Sequence, residues 1–199
     1  MQLQKEGGYL VNQEEKRLLE KALWNDQGRR TANTIAVDAS VIARIAGFEI
    51  PQDKVFIMVE QQEIGPAYLF SHEKLSPVMA IDKYKGFENA LKMVQAIFEI
   101  GGKGHSCGIY SYNDEHIHQL ALIAPVSRIM VRQPQSKANA GSFTNGMPMT
   151  SSLGCGIWGG NITNENIHLK HYMNVTWVSR PIPEDRPSEE ELFGEFYNT

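Results

Sequence analysis

Cysteine is scarce in this sequence: Cys107 and Cys155 are its only two in 199 residues. Two thiols cannot build the disulfide framework of a small secreted domain, so a reducing, cytoplasmic setting is expected. Long apolar runs are lacking as well. No stretch approaches the roughly 20 apolar residues of a membrane span. The polar start, Met1 to Gly8, has no signal-peptide core. There is no basic surplus, and a net charge of −4 argues against a general affinity for nucleic acid. No Gly-x-Gly-x-x-Gly or Walker-type run follows a strand-like segment, so the chain does not supply the usual pyrophosphate cradle. His72, His105, His116, His118, His168 and His171 fall in no familiar ligand spacing, and no metal is expected. Internal repeats and low-complexity segments are absent.

What is present is ordinary for a globular chain: 42% hydrophobic and 21% charged residues. The length suits one large domain, or one domain with an appendage.

In chain order, Asn12 is a candidate N-cap with Glu14 and Glu15 in the first helical turn, and Leu18, Leu19, Ala22 and Leu23 form the buried stripe. Thr34 to Val37 reads as a short strand. Asp38 then caps a helix with Val41, Ile42, Ile45 and Ala46 on one side, stopped by Gly47. Lys54 to Glu60 is a continuous apolar run of the kind buried in parallel sheets. A second strand is expected at Val78 to Ile81. Between Gly86 and Gly101, Phe87, Ala90, Leu91, Val94, Ile97 and Phe98 recur at helical spacing. His105 to Tyr112 reads as a strand, Asn113 or Asp114 caps a helix through Ile117, Leu120 and Ala121, and Ser127 to Arg132 is another strand. Strands alternating with helices predict an α/β fold with a largely parallel sheet and flanking helices. Asn174 to Pro181 resembles a late strand. The acidic tail ends in Leu192, Phe193, Phe196 and Tyr197.

Open α/β sheets bind ligands beyond the carboxyl ends of their strands, which directs attention to the long polar segment Gln133 to Ser152. It leads into Ser151 to Asn161, where Gly154, Gly156, Gly159 and Gly160 exclude a regular element. Cys155 and Trp158 make it no flexible linker. Two readings are open. The stretch is a tight corner holding Trp158 in the core, or its backbone comes close to a ligand. His105 and Cys107 share a strand face, but a thiol in an apolar strand is most often an inert small hydrophobe. Cys155 is the better nucleophile by position, though no basic residue adjoins it.

Three segments are specific in combination: Ser71-His72-Glu73-Lys74-Leu75-Ser76-Pro77, Gly101-Gly102-Lys103-Gly104-His105-Ser106, and Leu153-Gly154-Cys155-Gly156-Ile157-Trp158-Gly159-Gly160-Asn161. In this order they resemble the CoA-acylating branch of the aldehyde dehydrogenases. Gly141-Ser142-Phe143-Thr144-Asn145-Gly146-Met147-Pro148 is most similar to the sulfoacetaldehyde dehydrogenase subgroup. The resemblance implies an incomplete catalytic domain at 1–172 and a C-terminal oligomerisation strand and tail at 173–199. It implies a homo-oligomer acting on a small aldehyde with coenzyme A and NAD or NADP, and no nucleic acid or membrane partner. In the family a Cys thiolate adds to the aldehyde, a hydride passes to the nicotinamide, and the CoA thiol takes the acyl group. Neither Cys107 nor Cys155 matches that nucleophile, whose position lies upstream, so the chain alone is expected to be inactive. Glu73 matches the carboxylate that holds the nicotinamide ribose, and His105 the active-site histidine, a group suited to relay a proton or help deprotonate the thiol. Cys155, Ile157 and Trp158 would wall the substrate and CoA pocket. Ser142, Thr144 and Asn145, with Lys137 or Arg132, would receive a sulfonate tail. The alternative is a non-catalytic subunit or dimerisation module that pairs with a companion chain.

Overall fold

A computed structural model describes residues 2–196. Tyr197, expected in the aromatic tail, lies outside the described residues. The chain divides into two units, Met1–His168 and Leu169–Thr199.

In the first unit, a short helix α1 (Gln2–Lys5) precedes strand β1 (Gly8–Leu10) and helix α2 (Gln13–Leu23). The sequence explains why α2 starts where it does. The Asn12 side chain accepts from the Glu15 backbone N–H at 2.9 Å, and the Glu15 carboxylate accepts from the Asn12 N–H at 2.9 Å. This reciprocal capping box satisfies two donors that the helix itself cannot. Leu19 and Leu23 turn inward onto helix α3 (Ala39–Ala46) and strands β2 (Phe56–Glu60) and β3 (Val78–Ile81). The order is β1-β2-β3, parallel throughout, with Ile57 opposite both Tyr9 and Val78. Paired on both edges, β2 buries Ile57, Met58 and Val59, which accounts for its continuous apolar run.

Helix α4 (Phe87–Gly101), strand β4 (Cys107–Ile109), helix α5 (Asp114–Ile123) and strand β5 (Ile129–Val131) form a second layer. Strands β4 and β5 pair in parallel, Cys107 with Ile129. Asn113 caps α5, accepting from Glu115 and His116 N–H. His116 stacks on Phe87 with ring centroids 3.9 Å apart, so this imidazole helps join α5 to α4. Helix α4 packs Leu91, Val94 and Phe98 of its expected stripe on the second core, but Ile97 is exposed and none of its residues is fully buried.

Three local expectations change. Thr34 to Val37 is not a strand: Ala32–Thr34 forms a 3-10 turn. Thr34 Oγ1 donates back to the Thr31 carbonyl at 3.0 Å, a local bond that competes with strand pairing. Helix α3 stops at Gly47 in the left-handed region, but Asp38 makes no side-chain cap. Its inner face is Ala39, Ile42, Ala43 and Ala46, with Ile45 turned out. The strand expected over His105 to Tyr112 contracts to Cys107–Ile109.

In the second unit, Leu169–Tyr172 is a 3-10 turn and Glu189–Phe193 is a short helix capped by Ser188 with Glu191. Residues 174–181 form no strand in the single chain, and Val175, Trp177 and Val178 are exposed. No helix is long and apolar enough to cross a membrane among the described residues.

Candidate functional site

The glycine stretch is one arm of a tight hairpin. The Gly154 N–H donates to Glu165 O, the Gly156 N–H to Thr163 O, and the Ile167 N–H to Ser152 O. Leu153 pairs antiparallel with Asn166. A Cβ on Gly154 would lie 2.2 Å from the Thr163 carbonyl oxygen, and one on Gly159 2.4 Å from Cys155 Cβ. These glycines are therefore required by the chain's approach to itself. The corner reading holds for the backbone but not for Trp158. Ile157 is 88% and Trp158 48% exposed, at the hairpin tip and not in the core.

A second approach brings His105 to this hairpin. Gly104 has φ +104°, and a Cβ there would meet the Cys155 carbonyl oxygen at 2.7 Å and the Gly159 nitrogen at 2.9 Å. Only glycine permits both the dihedral and the contact. His105 follows at once, exposed, with Ser106 buried beside it.

Arg128 ties these parts together. It is 5% exposed and sits just before β5. Its Nε donates to Asn166 Oδ1 at 2.7 Å, and Nη2 to the carbonyls of Gly154 at 2.9 Å and Asn164 at 3.2 Å. Its Nη1 donates to the His105 carbonyl at 3.3 Å. Burial pushes the guanidinium pKa down, and nearby Cys155 opposes the shift. Asn166 Nδ2 donates in turn to the carbonyls of Asn139 at 3.1 Å and Pro148 at 2.9 Å. Helix α6 (Gln135–Ala138) thereby joins the assembly. One charged side chain fixes the His105 segment, the hairpin and the end of the long loop relative to one another.

The cluster stands at the amino ends of β4 and β5. The rule that sends ligands to carboxyl ends pointed to Gln133 to Ser152, and that segment indeed contributes, because α6 folds back to the opposite edge. Sequence reading missed Ser106, Arg128, Gln135, Asn139 and Asn166. Arg128 alone left a signal, a charge inside an apolar strand run. The others carry no pattern in one dimension.

In the long loop, Asn145 is fully committed. Its Oδ1 accepts from the N–H groups of Ser142 (3.0 Å) and Met147 (3.2 Å), and its Nδ2 donates to Ala138 O (2.8 Å) and Gln133 Oε1 (3.2 Å). An amide has capacity for little more. Ser142 Oγ and Thr144 Oγ1 lie 3.1 Å apart on the loop's outer side. Arg132 donates to the Ser111 carbonyl at 2.6 Å and lies 4.7 Å over the Tyr112 ring, while Lys137 is exposed. Cys107 packs in the second core, and burial pushes its thiol up to about 11.

Glu73 belongs to a different assembly, on the turn between β2 and β3. Arg30 donates to the Lys74 carbonyl at 2.7 Å (Nη2) and 3.1 Å (Nε), and Lys74 Nζ donates to Phe70 O and His72 O, each at 2.8 Å. Ala36 and Leu75 both hold left-handed backbone, φ 54° and 46°, and the Ala36 N–H donates to the Leu75 carbonyl at 3.0 Å. Burial lowers the Lys74 ammonium pKa, and Asp82 works against that shift. Glu73 itself is exposed, and among the described residues no hydrogen bond or ion pair claims its carboxylate. The His105 segment is therefore linked to the hairpin that bears Cys155, Ile157 and Trp158, whereas among the described residues no hydrogen bond joins Glu73, on the turn between β2 and β3, to either.

No family model matches the chain. It is 44% identical over 194 residues to a sulfoacetaldehyde dehydrogenase of Acholeplasma sp, covering 96% of this chain and 40% of that protein. It is 40% identical to the acylating sulfoacetaldehyde dehydrogenase of Bilophila wadsworthia, covering 98% and 43%. The crystal structure of an acetylating aldehyde dehydrogenase from Geobacillus thermoglucosidasius superposes with a TM-score of 0.82 at 34% identity, over 92% of this chain and 41% of the other. The chain thus spans about two fifths of the length of these relatives.

Proposed function

We propose, from a chain related along nearly its whole length to part of the CoA-acylating aldehyde dehydrogenases, that these residues form much of a site converting a small aldehyde to its acyl-CoA. The observation that carries this is the Arg128 network, which holds His105 against the hairpin bearing Cys155, Ile157 and Trp158. That hairpin presents an exposed apolar tip, a wall for an acyl thioester, and packs against Gly104, the residue before His105.

The nicotinamide cofactor, NAD or NADP, supplies the hydride acceptor when bound. Glu73 fits it: an exposed carboxylate that no side-chain hydrogen bond occupies is an acceptor-only group suited to a ribose diol, and its turn is pinned by Arg30 and Lys74. His105 is the group assigned to act on the reacting sulfur and oxygen. Ser142 and Thr144 offer hydroxyls to an anionic tail such as a sulfonate, with Asn145 shaping the loop instead of touching the ligand. Lys137 is the better candidate cation, since Arg132 is engaged with Ser111 and Tyr112. The nucleophilic thiol comes from outside these 199 residues. Cys107 is too basic a thiol for the role, and the segments that resemble the family leave Cys155 as a wall residue.

Co-expression tests this. The chain joins the remaining three fifths of the Bilophila wadsworthia relative, and cofactor reduction is followed with aldehyde and CoA. We expect no turnover from the chain alone, activity with the companion, and losses of at least about tenfold on Glu73→Gln and His105→Ala. Turnover by the chain alone that vanishes with Cys155→Ala would overturn the reading. The exposed Val175, Trp177 and Val178 favour a second role for residues 173–199, pairing with another subunit in a homo-oligomer. Sedimentation with and without Trp177→Ser reads that out.

A further inference from the structure

Among the described residues, the imidazole of His105 has one hydrogen-bond partner. Its Nδ1 lies 2.7 Å from Ser106 Oγ. Ser106 is buried and its hydroxyl has three neighbours: His105 Nδ1, Gln135 Nε2 at 3.0 Å and Asn139 Nδ2 at 3.2 Å. A hydroxyl owns one proton and two lone pairs. The Gln135 amide cannot be turned around, because the same Nε2 donates to the Ser106 carbonyl at 2.9 Å, a group that only accepts. Gln135 therefore occupies one lone pair, and Asn139, oriented with Nδ2 toward the hydroxyl, occupies the other. The single proton of Ser106 is left for His105.

We propose that Ser106, saturated by Gln135 and Asn139, donates to His105 Nδ1 and so fixes the neutral imidazole as the tautomer with its proton on Nε2, facing outward. Ser106, Gln135 and Asn139 are positioning residues: they act through the ring, not on a ligand. The consequence sharpens the proposed function, on which this last step rests. A neutral His105 of this kind meets an incoming sulfur or a developing oxyanion as a hydrogen-bond donor. Its outward nitrogen has no lone pair with which to take the thiol proton. Of the two roles open to an active-site imidazole here, relay or base, the geometry assigns donation.

The tautomer is read directly from the 15N shifts of the two ring nitrogens in long-range 1H–15N spectra of this chain, recorded where the imidazole is neutral. In the unsubstituted chain we expect a single form, with Nδ1 acceptor-like and Nε2 protonated. Ser106→Ala should return both nitrogens to the averaged shifts of an unconstrained imidazole, and Ser106→Thr should restore the single form. Asn139→Asp exchanges a donor for an acceptor, turns the Ser106 proton away, and should also release the ring. Averaged shifts in the unsubstituted chain, or an unchanged pattern in a folded Ser106→Ala, overturn the proposal. The unsubstituted spectrum decides the matter even if a variant fails to fold. Because no turnover is measured, failure here is separate from failure of the co-expression assay.

Discussion

The two sheets of the first unit are held together by opposite means. Around β1, β2 and β3 the interior is mainly apolar: Leu19, Leu23, Ile42, Ile57 and Val59 are wholly buried and interlock with Trp24 and Phe70, whose rings meet edge to face at 5.1 Å, and the buried polar groups Thr34, Gln61 and Ser71 are the exceptions. Around β4 and β5 the buried apolar cluster is small, Leu120, Ala124 and Val126, with Met130 and Ala138 also buried among the described residues. There the buried residues that fix position are polar: Ser106, Arg128, Asn139 and Asn166. Apolar packing tolerates substitution of similar volume, whereas a polar network demands that every member be present. The first sheet is scaffold, and the second exchanges tolerance for placement. It is the second that carries His105 and the hairpin.

The strongest way to break this contrast is Arg128→Ala. It strands the carbonyls of His105, Gly154 and Asn164 and the Asn166 side chain. We expect a loss of roughly 3–4 kcal/mol, with hydrogen exchange in β4, β5 and 152–167 rising well before that in β2. Uniform loosening across both sheets would erase the distinction. Leu23→Ala is the mirror experiment. It should cost about 2–4 kcal/mol by chemical denaturation, yet leave the His105 ring signals in place. Gly154→Ala comes next. Its new Cβ would lie 2.2 Å from the Thr163 carbonyl oxygen, so the hairpin must open at a cost of about 1–3 kcal/mol. Chemical shifts in 152–167 should change and those of β1 to β3 should not. The smallest effect is chemical. Only the thiolate alkylates, and the Cys107 thiol is pushed up to about 11. Mass mapping should show Cys155 modified first at neutral pH, with labelling of Cys107 rising about tenfold per pH unit until the pH nears that value. Equal labelling of both thiols at neutral pH would contradict the burial of Cys107.

Legibility in the sequence follows the same division. Most of the first sheet was readable because hydrophobic periodicity and capping are local: Asn12 with Glu15, the run through β2 and the left-handed Gly47 all announce themselves within a few residues, whereas α1 and the three-residue β1 sit in a polar start that carries neither signal. Thr34 to Val37 escaped because a threonine's bond to its own neighbourhood outweighed an apolar run. Of the site, the glycine stretch and the segment before His105 were conspicuous, and their tight packing on one another explains why glycine is needed in both. The purpose of those glycines was not legible, since the partner at Gly154 is Thr163 and the partner at Gly104 is Cys155. Ser106, Gln135 and Asn139 stand up to 33 positions apart. No one-dimensional pattern joins them.

One feature of the first sheet reaches beyond scaffolding. Leu75 stands in a backbone shape that costs a non-glycine residue roughly 1–2 kcal/mol, and it is kept there by a bond from Ala36 and by Arg30 gripping the carbonyl of Lys74. Arg30 is itself seated over the Trp24 ring, 5.2 Å from its centroid. The turn thus behaves as a sprung latch whose catch lies 44 residues upstream. Release the catch, by Arg30→Ala or by removing the indole beneath it, and the turn relaxes, carrying the Glu73 carboxylate to a new address without any change in Glu73 itself.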